Sequence, residues 1–217
     1  MSEGRSCWPG VVTPSEESLI IRELSRELFR IGAIRFGSFT LKDGRESPFY
    51  LDLRVLVSHP TSLARVGRAL AKRAEDLSYD RIAGIPYAGL PIAVAMSLVN
   101  ERPIVYPRKE SKGYGTMRAV EGEFFAGETA LVVDDVITSG GAKLEAIAHL
   151  REVGLRVEDV LVVVDRSAPG ADVMASAGLR LHSVLRVEPL LESLHQEGLI
   201  DQDQRDRSLA FVGAQGR

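Results

Sequence analysis

The sequence predicts an α/β protein with a mainly parallel central sheet and helices on both faces. Three observations lead there. Short apolar runs alternate with stretches of helical periodicity from residue 81 onward, the pattern of right-handed βαβ crossovers. Leu131 to Val133 is an uninterrupted apolar run, as expected of a strand buried on both faces. Finally, 217 residues with 45% hydrophobic content suit one globular domain with a full core.

In chain order, residues 1–12 read as a mobile leader. Residues 13–60 form an N-terminal helix and a hood hairpin. Thr13-Pro14-Ser15-Glu16 carries an N-cap hydroxyl, Pro in the first turn and Glu at the capping-box position. Ile20, Ile21, Leu24, Leu28 and Ile31 then fall on one helix face, and Gly32 ends it. Phe36 to Leu41 and Ser47 to Leu53 read as two strands around Lys42-Asp43-Gly44-Arg45, where Asp-Gly suits a tight turn. Residues 61–200 are the core. A helix from Ser62 carries Leu63, Val66, Leu70, Ala74 and Leu77 on one face. It is followed by a strand at Arg81 to Ile85, a helix at Pro91 to Asn100 and a strand at Pro103 to Tyr106. Next come a strand at Thr129 to Val133, a helix at Ala142 to Val153, a strand at Val160 to Val164, an edge strand at Leu179 to Leu185 and a last helix at Pro189 to Glu197. Residues 201–217 read as a polar, fraying tail in which Leu209, Phe211 and Val212 could dock.

Composition excludes several classes. A net charge of -3 argues against a whole-protein nucleic-acid binder, which needs a concentrated basic surface. No apolar stretch approaches the roughly 20 residues of a membrane span, and no secretory leader is visible. The only cysteine, Cys7, gives neither a disulfide framework nor a metal-thiolate cluster, so a cytoplasmic location is the simplest expectation.

Chemistry concentrates at residues 131–143. Asp134 and Asp135 follow the apolar run, at the carboxyl end where open α/β sheets place ligands. Thr138 to Gly141 is small and glycine-rich, so backbone N–H groups can converge on an anion beside the opening of a helix near Ala142. The spacing is not that of a Walker loop. The segment resembles the phosphoribosyl pyrophosphate (PRPP) signature of the type I phosphoribosyltransferases. That resemblance implies the fold of the family. It also implies that Asp134 and Asp135 hold the ribose 2′- and 3′-hydroxyls, while Val136, Ile137, Thr138, Ser139, Gly140, Gly141 and Ala142 wrap the 5′-phosphate.

Between Tyr106 and Thr129 lie about twenty residues without apolar periodicity, a length that in compact domains is usually functional or disordered. Arg108, Lys109, Lys112 and Arg118 face only Glu110 within residues 107–118, and Gly113 and Gly115 would let this flap swing over a charged substrate. The run from Arg108 to Thr116 resembles the catalytic loop of orotate phosphoribosyltransferases, particularly the form fused to a decarboxylase. By that match Arg108, Lys109 and Lys112 contact the pyrophosphate, and the loop serves the neighbouring subunit of a homodimer. Tyr114 departs from the His of many bacterial members. A phenol still donates to a pyrophosphate oxygen but is not cationic at neutral pH.

Three further segments match the same family. Phe39 to Pro48 resembles the stretch whose Lys reaches the substrate, which implies that Lys42 faces the anionic ligand while Tyr50 and Leu51 line the pyrimidine. Gly84 to Pro91 is glycine-rich between a strand and a helix, so its backbone can approach a phosphate closely. In the family this loop meets the pyrophosphate, which makes Tyr87, Ala88 and Gly89 candidates. Arg166 follows Val164 at the sheet edge and could hold a carboxylate through two parallel hydrogen bonds. Resemblance assigns orotate recognition to Arg166 and Thr138, with a salt bridge to Asp165 or a neighbour as the competing use of the guanidinium.

The resemblance spans about residues 15–200 and implies that orotate and PRPP give orotidine 5′-monophosphate and pyrophosphate. It implies catalytic roles for Lys112, Asp135, Arg108 and Lys109, and Mg²⁺ held mainly through substrate oxygens rather than by direct protein ligands. A purine phosphoribosyltransferase is the enzymatic rival, opposed by the segments around Lys42 and Arg108. A ligand-sensing regulator on the same fold is the other, but such regulators add a DNA-binding domain that this sequence does not show.

Overall fold

Two apolar clusters, one on each face of a six-stranded sheet, organise the chain. The computed structural model describes residues 14–41, 44–108, 119–168 and 173–214. The expected leader (1–12), the Thr13 cap, Lys42, Asp43 and the flap residues 109–118 lie outside the described residues, as do residues 215–217.

The sheet runs in the order β5 (Val120–Glu121), β4 (Ile104–Pro107), β3 (Arg81–Gly84), β6 (Ala130–Ile137), β7 (Asp159–Asp165), β8 (Arg180–Arg186). All neighbours are parallel except β4 and β5, which are antiparallel. The two-residue β5 was not expected, and nothing in so short a stretch could carry a period. Side chains alternate across the pleat: Leu131 and Val133 enter one cluster, Ala130 and Val132 the other. Every residue of β7 is buried, which accounts for the unbroken apolar run Val160 to Val164 between its two terminal acids.

One face is covered by α1 (Pro14–Arg30), α2 (Pro60–Arg73), α3 (Gly89–Asn100) and α5 (Val187–Gln196), the other by α4 (Gly141–Glu152). A separate antiparallel hairpin of β1 (Ile34–Thr40) and β2 (Glu46–Leu51) forms the hood. The predicted extension of the second strand to Leu53 stops at Leu51, because Asp52 accepts from the Arg54 N–H and starts a short 3₁₀ helix, Leu53–Ser58.

Two expectations need correction. The strand predicted to end at Val133 continues through both acids, since Val136 and Ile137 pair with Val164 and Asp165. The tail expected to fray forms α6 (Gln202–Ala214), with Ser208 and Val212 buried and Phe211 packed on Phe49. Its polar sequence hides this, because only Leu209, Phe211 and Val212 are needed to seat it.

Candidate active site

Strand order reverses between β3 and β6: the chain moves outward from β3 to β4 and β5, then crosses back to β6. The crevice at such a switch point is where doubly wound sheets hold ligands. The loop after β3 reaches over it, with the Ile85 N–H donating to the Val133 carbonyl at 3.1 Å. Gly89 opens α3 so close to β6 that a Cβ there would lie 2.8 Å from the Val133 carbonyl oxygen and 2.9 Å from Asp134 Oδ1. Close backbone approach, and not merely a turn, therefore requires glycine at 89. Tyr87 is exposed and Ala88 half-buried on the same loop.

Asp134 is only 6% exposed, lying beneath Gly89. Its Oδ1 accepts the Asp135 N–H at 2.8 Å and its Oδ2 pairs with Lys143 Nζ at 2.7 Å. Lys143, in the first turn of α4, also donates to the Val136 carbonyl at 2.7 Å. Sequence reasoning missed this lysine. Its signal was position, since a cation at a helix N-terminus opposes the macrodipole and calls for an anionic partner.

Asp135 is half-exposed and accepts the Val136 N–H at 2.7 Å. Burial, helped by the neighbouring Asp134 charge, pushes its carboxyl up to about 6. Beyond Ile137 the chain turns through exposed Thr138 and Ser139 to Gly140, whose φ of 78° is left-handed. A side chain at Gly140 would also collide with Met174. Gly141 and Ala142, both exposed, begin α4 with no side-chain cap. The helix thus presents unsatisfied N–H groups and its positive end to the crevice.

Arg166 follows β7 immediately, and its N–H donates to the Ile137 carbonyl at 2.8 Å, so Thr138 and Arg166 are register neighbours. Arg166 is 7% exposed, its Cζ 4.7 Å from the Phe49 ring centroid and 5.3 Å from that of Phe211. Arg166 also donates to Ser47 Oγ at 3.3 Å. Asp165 does not compete for it, because Ser167 N–H and Oγ–H donate to Asp165 Oδ1 and Arg186 pairs with Oδ2 at 3.3 Å. Phe49, passed over in the sequence, is thus the hood ring against Arg166, while strand alternation places Tyr50 on the opposite face. There Tyr50 stacks on Phe39 at 5.6 Å and lies beneath Arg35. Leu51 shares the Phe49 face and packs on the core.

Arg108 directly follows β4 and pairs with Glu121 Oε1 at 2.9 Å, while its N–H donates to the Ala119 carbonyl. Arg108 and Ala119, which flank residues 109–118, are thus neighbours, while Lys109, Lys112 and Tyr114 lie outside the described residues. A cavity of about 300 Å³ beside β4 is lined by Ile85, Pro86, Arg108, Ala142, Glu145 and His149, joining the β3 loop to the start of α4. A larger groove of about 670 Å³ between α1 and α5 contains none of these residues.

Parallel sheet, switch-point crevice and the glycine-rich turn that opens α4 define a type I phosphoribosyltransferase fold, and residues 54–178 match the family model described as phosphoribosyl transferase domain. The chain is 35% identical to the orotate phosphoribosyltransferase of Pyrococcus furiosus over 173 residues, covering 79% of this chain and 95% of that one. The solved orotate phosphoribosyltransferase of Aeropyrum pernix superposes with a TM-score of 0.70 at 34% identity, over 80% of this chain and 98% of that one. The chain belongs to the orotate phosphoribosyltransferase family. It is also 37% identical to uridine 5′-monophosphate synthase of Bos taurus over 195 residues, 89% of this chain but 41% of that protein. It thus spans about two fifths of the length of the first relatives it matches.

Proposed function

We propose that the chain catalyses phosphoribosyl transfer from PRPP to orotate, releasing pyrophosphate and forming orotidine 5′-monophosphate. One observation carries this reading: the phosphate-binding turn, Asp135 and Arg166 converge at the carboxyl ends of neighbouring strands β6 and β7. In the reaction the bond from C1′ to the pyrophosphate oxygen breaks and a bond from C1′ to the orotate ring nitrogen forms. Charge leaves with the pyrophosphate and positive charge builds on the ribose, so orientation and anion stabilisation lower the barrier.

The turn Val136 to Ala142 binds the 5′-phosphate through backbone N–H groups, Ser139 and Thr138. Asp135 accepts from the sugar hydroxyls and is the carboxylate placed to handle a proton. Arg166, with Thr138, holds the orotate carboxylate beneath the hood. The β3 loop, at Tyr87 and Ala88, meets the pyrophosphate, and Lys42 reaches the same anion. Arg108, Lys109, Lys112 and Tyr114 close over the leaving group, Lys112 neutralising its developing charge. Mg²⁺ would be held mainly by substrate oxygens and retained waters, as this ion's reluctance to dehydrate favours. When bound, it would screen the charge of the pyrophosphate.

A homodimer sharing the flap in trans is part of the proposal. Its support is α3, which carries no charged residue and leaves Val94 and Leu98 46% and 80% exposed. No described helix is long and apolar enough to cross a membrane. A single cysteine suits the reducing cytoplasm, the location proposed here.

The test is pyrophosphate release with PRPP and Mg²⁺ on adding orotate, uracil or adenine separately, beside loss of orotate absorbance. Release with orotate alone is expected. Equal release with adenine would refute the assignment.

A further inference from the structure

Of the two acids on β6, Asp134 is the more deeply buried. Asp134 is buried under Gly89, and its two oxygens are taken by the Asp135 N–H and by Lys143 Nζ. Lys143 is itself 7% exposed and spends a second N–H on the Val136 carbonyl. Its backbone N–H donates to the Gly140 carbonyl at 2.9 Å, fixing it in the first turn of α4. One side chain therefore spans the phosphate-binding turn, bonded to Asp134 and Val136 on the strand side and rooted in the helix beyond Ala142.

We propose that Lys143 is a positioning residue that clasps Asp134 and the Val136 carbonyl, setting the span of the phosphate-binding turn and the orientation of the Asp134 carboxylate. A buried carboxylate and ammonium hold each other strongly only while both are present, so removing either releases the turn. The same ion pair supplies the anion that a cation in the first turn of a helix requires.

This inference rests on the proposed function only in taking PRPP as the ligand. The test is PRPP affinity in Mg²⁺, by titration calorimetry, for the wild type, Asp134→Asn, Lys143→Met and the double variant. Each single change should weaken PRPP about tenfold, the loss of one charge-assisted contact's worth of positioning. The double variant should be no more than about threefold weaker than either single one, since both changes break the same clasp. Full additivity, or an unchanged affinity in Lys143→Met, would overturn the proposal. Should Lys143→Met fail to fold with Asp134 left buried and uncompensated, Asp134→Asn is compared with the double variant, where no charge is stranded. Affinities within about threefold support the clasp, and a further tenfold loss contradicts it. Wild-type pyrophosphate release with orotate is measured alongside. Its absence with the affinity pattern intact would strike the proposed reaction and spare the clasp.

Discussion

Arg166 is held by two aromatic rings and a hydroxyl that come from two distant elements, Phe49 and Ser47 in β2 and Phe211 in α6. Arg166→Met should raise the KM for orotate roughly tenfold to a hundredfold, the scale of a charge-assisted pair, while the KM for PRPP moves less than threefold. Steady-state kinetics with each substrate varied checks it, and equal changes in both constants would count against carboxylate recognition. Asp135 gives a pH dependence. Its carboxyl is raised to about 6 by burial and by the Asp134 charge, so the free protein holds a proton there that the unfolded chain has lost. The stability linked to that proton is present below the ordinary carboxylate range and lost as pH rises through about 6. Hydroxyl binding needs the ionised form, so PRPP affinity should rise between pH 5 and about 7 in a titration series and flatten in Asp135→Asn. At this scale the sequence disclosed what is contiguous. Asp134 through Ala142 is one run, whereas Phe49 and Lys143 acquire meaning only from a strand's phase and a fold-back contact. A lysine on a helix usually reads as solvated.

Helix α6 shows what a polar pattern conceals. Three apolar residues seat it on the hood and α5, and it closes the ring cage around Arg166. Phe211→Ala should cost about 1–3 kcal/mol, below the 3–5 of a fully buried Phe because this ring is only partly covered. It should also raise the KM for orotate several-fold. Denaturant unfolding and kinetics read the two effects, and a change in stability alone would remove α6 from the site. Glu27 ties α1 to α2: hydrogen bonds from Arg30 and Ser62, with Arg65 nearby, hold its carboxyl down at about 2. A depressed carboxyl contributes stability above its ordinary value of about 4.5 and loses it as pH falls toward 2. The melting temperature should therefore fall over that window, and Glu27→Gln should lower it at neutral pH and flatten the fall. Element boundaries were legible where periodicity was long, as in α1. They were not legible at β6, where acids that usually end a strand stay paired with β7 through Ile137 and Asp165.

For the whole molecule, the parallel sheet and its helical layers followed from alternation of apolar runs, because burial on both faces leaves strands with no polar phase. Strand order did not follow, since the reversal between β3 and β6 is a long-range pairing no local window contains. Assembly belongs to this scale as well. Leu98→Glu should shift the chain from dimer to monomer in sedimentation velocity, and if the flap acts in trans it should also lose most activity. Mixed dimers of Asp135→Asn and Lys112→Ala should regain part of the activity that each variant lacks alone. The most direct measurement is a crystal structure of the chain with orotate, PRPP and Mg²⁺. Expected is the orotate carboxylate against the Arg166 guanidinium, with sugar hydroxyls at Asp135 and the 5′-phosphate in the turn Val136 to Ala142. Orotate and PRPP on separate surfaces, or a sugar held away from β6 with Arg166 facing no ligand, would contradict it.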